Sequence, residues 1–136
     1  MFYCEIISGL WIGDIDVMLT KKFIQDNNIT MILNCTTGID FPAIDIQKVR
    51  IPLSERIEDD LHLLKINKDK ILELLLNSLD THNILVCCYD GKNISPFIVS
   101  LLLIKYGGIK KETIRDIMRT KHTSITMDYD ISMFDI

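Results

Sequence analysis

Ile84-Leu85-Val86-Cys87-Cys88-Tyr89-Asp90-Gly91-Lys92-Asn93-Ile94-Ser95-Pro96 opens as a buried strand and closes as the start of a helix. Five uncharged, largely β-branched or sulfur side chains in a row, Ile84 to Cys88, mark a central strand covered on both faces. Residues 89–95 contain a glycine and read as a turn. Pro96 suits the first turn of a helix, where its missing N–H is not needed. Phe97 to Tyr106 is apolar almost all round, which predicts a central, buried helix stopped by Gly107-Gly108. A thiol, Cys88, therefore ends the strand. The amides of the turn and the helix N-terminus are expected to point into one concavity, a geometry suited to an anion. The same field is expected to lower the Cys88 pKa.

Outward from this segment, apolar runs alternate with amphipathic ones. Residues 2–7 and 10–13 read as two short strands broken at Ser8-Gly9. Val17 to Asn27 reads as one helix with Asp16 as N-cap, and Asn28 as its left-handed end. Ile29 to Cys35 and Ile46 to Leu53 are further strands, the second with Pro52 near its end. A helical pattern runs from about Leu61 to Leu79, with a break expected near Asn67; Ile71, Leu72, Leu75, Leu76 and Leu79 share its apolar face. A last helix spans about Lys110 to Thr120. Strand–helix alternation predicts a single α/β domain over residues 1–136, with a central, mostly parallel, twisted sheet of about four or five strands flanked by helices. Ligands of such sheets sit beyond the carboxyl ends of the strands, which again selects the turn after Cys88.

The 136 residues carry a formal net charge of −4, with 48% hydrophobic and 25% charged residues. That is the balance of a folded domain and argues against nucleic-acid binding, which needs a basic face. Met1 to Glu5 lacks the pattern of a secretory signal, and no apolar run has the length of a membrane span, so an intracellular, cytoplasmic protein is expected. The four cysteines fit that compartment as thiols. None forms a C-x-x-C pair and His62, His82 and His122 are scattered, so neither a metal site nor a cofactor is expected. The six basic residues Lys105, Lys110, Lys111, Arg115, Arg119 and Lys121 read as a solvated face or a docking patch.

The loop resembles that of the cysteine-dependent protein tyrosine phosphatases, in particular the small dual-specificity branch, whose pattern is H-C-x-x-G-x-x-R-S, often followed by P. Cys88 falls on the nucleophile, Gly91 on the glycine, Ser95 on the hydroxyl that assists thiolate departure, and Pro96 on the proline. The resemblance extends outward. Leu10-Trp11-Ile12-Gly13 is similar to the family's L-Y-L-G strand, and Ile29-Thr30-Met31-Ile32-Leu33-Asn34-Cys35-Thr36 to its I-T-H-V-L-N-V-T. Ile51-Pro52-Leu53 precedes the place of the general acid, which falls on Glu55, with Asp59 as the alternative; Glu58, Asp59 and Asp60 otherwise read as a solvated helix start.

The departures decide the expected function. Ile94 stands where the family has arginine, and Cys87 where it has histidine. A guanidinium forks two donors onto a phosphate; isoleucine has none, and Lys92, the nearby cation, is a point charge that does not reproduce the fork. Asp90 adds negative charge to an anion-binding turn. The resemblance therefore implies a phosphatase fold without the chemistry: a pseudophosphatase that binds or regulates a protein partner, a phosphoprotein among the candidates. Phosphate is expected to bind this loop no better than millimolar. The alternative is a slow residual phosphatase or a thiol-based redox protein using Cys88.

Overall fold

Why Cys87 and Cys88 face different surroundings follows from the pleat of the strand that carries them. The computed structural model describes residues 1–54 and 56–136, the side chains of Ile57 and Glu58 excepted. In it the strands are β1 (Tyr3–Ile7), β2 (Leu10–Gly13), β3 (Met31–Asn34), β4 (Gln47–Arg50) and β5 (Ile84–Cys87). They form one sheet in the order β1-β2-β5-β3-β4. β1 and β2 form an antiparallel hairpin, whereas β2, β5, β3 and β4 run parallel. β5 lies at the centre, as its unbroken apolar character predicts. Ile84, Val86 and Cys88 join one apolar cluster, and Leu85 and Cys87 join the other.

Cys88 shares its cluster with α3 (Ile57–Ser78), α4 (Ile94–Gly107) and α5 (Lys111–Lys121). Cys87 shares its own with α1 (Ile15–Met18) and α2 (Lys21–Asp26). Side chains from Ile94 to Leu102 on α4 are buried without interruption, so this helix is the apolar spine of the domain. Each of its buried large aliphatic and aromatic side chains contributes about 1.5–3 kcal/mol. Gly108 closes α4 in the left-handed conformation, φ 71°. No helix among the described residues is long and apolar enough to cross a membrane.

Two expected helices differ in detail. The Val17–Asn27 segment is two short helices, because Thr20 adopts extended backbone and its hydroxyl bonds to the Asp16 carbonyl at 2.6 Å. The break leaves Leu19 48% exposed while placing Val17, Met18, Phe23 and Ile24 on one sheet face. The N-cap is Asp14 rather than Asp16: its Oδ1 accepts from Val17 N at 2.9 Å, and its Oδ2 from Phe2 N at 2.7 Å. α3 runs unbroken through Asn67, whose side chain donates to the Leu63 carbonyl at 2.8 Å instead of ending the helix. Leu72 and Leu75 are core, but Leu76 lies at the edge of the face and is 38% exposed.

Candidate functional site

Gly91 sets the shape of the turn that follows β5. It holds φ at +71°, and a Cβ there would meet Asp14 N and Gly13 C, each at 2.7 Å. Only glycine fits so close to the β2–α1 backbone. The Cys88 amide donates to the Gly13 carbonyl at 3.2 Å, pinning the strand end to the same neighbour. α4 then begins at Ile94, two residues before Pro96.

The thiol sits at the bottom of this turn. Cys88 is 1% exposed, and its sulfur accepts the Ser95 amide at 3.3 Å. Burial pushes the Cys88 thiol above its ordinary value. The Ser95 hydroxyl and amide and the Gly91 amide pull it down, and the Asp90 carboxylate adds to the rise. The net direction is upward, which corrects the expected lowering: the sulfur has been taken out of water, and the loop's donors do not offset that loss. Ser95 Oγ is itself fully buried beside the sulfur, and the Cys88 thiol is the group it acts on.

The loop carries its own anion. Asp90 Oδ1 accepts the Lys92 amide at 2.9 Å and lies 3.8 Å from the Cys88 sulfur. One amide that the sequence assigns to an external phosphate is therefore engaged internally. Lys92 does not face the loop: its ammonium stands over the Phe2 ring, 5.5 Å from the centroid. Tyr89 hangs its hydroxyl on Thr37, 3.3 Å from the amide and 3.1 Å from Oγ1. Asn93 uses its side-chain oxygen to accept the Asp128 amide at 2.5 Å. Cys87, on the opposite face, donates its thiol to the Asp14 carbonyl at 3.4 Å.

A cleft of about 240 Å³ opens beside the sulfur, lined by Cys88, Tyr89, Asp90, Asn93, Ile94 and Asp128. Its charged side chains among the described residues are both carboxylates.

No protein-family model matches the sequence, and no curated protein matches it. Solved structures do. DUSP15 superposes with a TM-score of 0.80 at 18% identity, over 93% of this chain and 80% of its own. Human DUSP28 gives 0.76 at 12% identity, over 93% and 84%. The human tyrosine phosphatase-like serine/threonine/tyrosine-interacting protein gives 0.76 at 16% identity, over 93% and 87%. The fold is that of the dual-specificity phosphatases.

Within this dual-specificity phosphatase fold, Cys88, Gly91 and Ser95 come together at the carboxyl end of the central strand, and Ile94 points into the same place with 3% exposure. Glu55 lies outside the described residues. Asp59 is exposed and sits 3.5 Å from Arg56. Asp60 is not solvated as read from the sequence: it is fully buried, with Oδ1 taking the Ser54 amide at 2.7 Å and Oδ2 the Tyr129 hydroxyl at 2.7 Å. Among the described residues no group of three or more His, Cys, Asp or Glu is placed to hold a metal ion.

Sequence reasoning passed over the segment that closes the site. Thr126 and Met127 donate their amides to the Lys92 carbonyl at 2.8 and 3.3 Å, which brings Asp128 to the cleft. α5 holds that segment in place. Arg115 donates to the carbonyls of Met127 and Tyr129 at 2.9 and 3.2 Å, Arg119 to Ile125 at 3.5 Å, and Lys111 to Phe134 at 3.0 Å. These basic side chains, read as a free face or docking patch, are clamps on the chain's own backbone. The signal available in the sequence was the acidic and aromatic run Asp128-Tyr129-Asp130, which has no periodicity to place it.

Proposed function

We propose that this chain is a catalytically inactive pseudophosphatase, a protein-binding or regulatory module that keeps the phosphatase fold. The observation that carries the reading is the content of the cleft: Ile94 where a guanidinium is needed, with two carboxylates and no cation lining it among the described residues. Loss of one oxyanion donor alone costs roughly 10²–10³ in rate, and a charged bidentate clamp supplies more. A phosphate dianion entering here meets Asp90 and Asp128. A thiol held above its ordinary pKa is also a poor nucleophile at neutral pH. One protein of the same fold is itself named as phosphatase-like and interacting.

The test is turnover of small aryl phosphates and phosphotyrosine peptides by the purified chain. The expected kcat/KM is at least about 10³-fold below that of an active dual-specificity phosphatase assayed alongside. A value within tenfold of that enzyme overturns the reading and favours residual phosphatase chemistry at Cys88.

A further inference from the structure

Cys35 and Cys88 follow the ends of neighbouring strands at the same level. Asn34 pairs with Cys87 across β3 and β5. The Cys35 amide donates to the Cys87 carbonyl at 2.8 Å, which carries the ladder one residue further and sets Cys35 beside Cys88. Neighbouring strands lie about 4.7–4.9 Å apart, inside the Cα separation of roughly 4.4–6.8 Å that a disulfide spans. The pleat turns both side chains to one face, since both belong to the cluster shared with α3, α4 and α5. Burial raises the Cys35 thiol, and among its neighbours Cys88 opposes its ionisation most strongly.

The other two cysteines are placed elsewhere. Cys87 faces the opposite cluster, where its thiol donates to the Asp14 carbonyl at 3.4 Å. Cys4 lies on β1, separated from β5 by β2, with its thiol 3.7 Å from the Lys121 carbonyl. The pair adjacent in sequence is therefore not the pair the fold brings together. An apolar cluster also favours the product of joining them. A disulfide carries no charge, whereas either thiolate would be desolvated at high cost.

We propose that Cys88 and Cys35 form a reversible disulfide, Cys88 meeting a small hydroperoxide and Cys35 resolving the product. Cys88 lines the cleft, whereas Cys35 has no exposed surface, so the order of the two steps is fixed by access. In the first step the peroxide O–O bond breaks, an S–O bond forms on Cys88, and the second oxygen leaves as water or alcohol. In the next the Cys35 sulfur attacks the sulfenic sulfur, the S–S bond forms, and the hydroxyl leaves as water with the Cys35 proton. Two thiols are oxidised by two electrons and one peroxide is reduced by two; a dithiol reductant reverses the bridge by exchange. The chemistry is independent of phosphate turnover and of Ile94. The bridge engages the sulfur that accepts the Ser95 amide and ties the start of the loop to the end of β3. It also keeps Cys88 from the irreversible sulfinic stage. A thiol held above its ordinary pKa is little ionised at neutral pH, so the bridge forms slowly there and faster in mild alkali.

The experiment treats the reduced whole chain with hydrogen peroxide at pH 8, alkylates it with iodoacetamide under denaturing conditions, and maps the tryptic peptides by mass spectrometry. Cleavage after Lys22, Lys48, Lys70 and Lys92 places Cys35 on one peptide and Cys87 with Cys88 on another. These two peptides are expected to be joined, with the four alkylatable thiols reduced to two and all four restored by dithiothreitol. The cross-link is expected to survive in Cys87→Ala and to vanish in Cys88→Ala. In Cys35→Ala, sulfinic acid at Cys88 should accumulate at least about tenfold more than in the parent chain. Fragmentation of the joined peptides locates the bond in the parent chain itself, so the result does not depend on a buried variant folding. A bond between Cys87 and Cys88, a sulfinic Cys88 with Cys35 still free in the parent chain, a cross-link that persists in Cys88→Ala, or four thiols left intact by peroxide that fully oxidises the denatured chain each overturns the proposal.

Discussion

An arginine introduced at position 94 would enter a cleft that already holds two carboxylates. Its stem would replace Ile94 at the first residue of α4, and its guanidinium would be drawn to Asp90 and Asp128 before any phosphate arrives. Ile94→Arg alone is therefore expected to leave phosphatase activity within about tenfold of the parent chain. The triple variant Cys87→His, Asp90→Ala, Ile94→Arg removes one carboxylate and restores the loop's support. It should exceed the single variant by more than about tenfold in kcat, because residues that act as a unit do not recover one at a time. Steady-state kinetics on both variants, each checked for cooperative thermal unfolding, decide this; near-family activity from the single change would show that Asp90 and Cys87 are harmless. At this scale the sequence was informative about spacing and silent about direction. Cys88, Gly91, Ile94 and Ser95 were legible because one short turn fixes their relative positions. The aim of Lys92 was not, since it depends on Phe2, ninety residues earlier in the chain.

Elements that announce themselves by periodicity were readable, and the one that lacks it was not. β5 and α4 stand where continuous apolarity puts them, because β5 is buried along its length and α4 from Ile94 to Leu102; the last turn of α4, expected to be buried, instead reaches solvent, with Tyr106 42% exposed. The C-terminal stretch after α5 has no repeat to read, yet it is bound to four other parts of the fold. Tyr129 packs on Phe97 with ring centroids 5.2 Å apart, Phe134 on the same ring at 5.1 Å, and the Tyr129 hydroxyl reaches Asp60. Asp60 in turn holds the Ser54 amide at the entrance to α3. A carboxylate buried this deeply depends on its donors, and removing one leaves the rest to carry its desolvation. Tyr129→Phe keeps the ring and deletes only the hydroxyl. It is expected to cost about 1–3 kcal/mol, read as a lowered urea midpoint with unchanged m-value. A variant as stable as the parent would show that Ser54 alone satisfies Asp60 and that the C-terminal segment is not a structural strap.

For the molecule as a whole, the consequence of burying so many weak acids appears at alkaline pH. Cys35, Cys87 and Cys88 are all held above the ordinary thiol value of 9.0, in each case chiefly by burial, and burial likewise raises Tyr129. Cys35 and Cys88 follow the paired residues Asn34 and Cys87 on adjacent strands, so Cys88 also opposes ionisation of Cys35. A raised pKa in the folded state means that the unfolded chain loses its proton first. The stability contributed by these groups is thus complete below pH 9 and falls as pH rises through 9 towards their folded values. Cys35 and Cys87, the most strongly shifted thiols, should each cost on the order of 1 kcal/mol between pH 9 and 10. The measurement is the urea midpoint at pH 7, 8, 9 and 10 under reducing conditions. It should be flat to pH 8 and decline steeply by pH 10, with Cys35→Ala reducing the slope even though the cavity lowers the neutral-pH value. Alkylation of Cys88 by iodoacetamide should follow the same axis, slow at pH 7 and rising only above 9. A midpoint unchanged at pH 10, or a Cys88 that alkylates fully at neutral pH, would mean that the loop's amides outweigh burial and that the thiol is poised for chemistry after all.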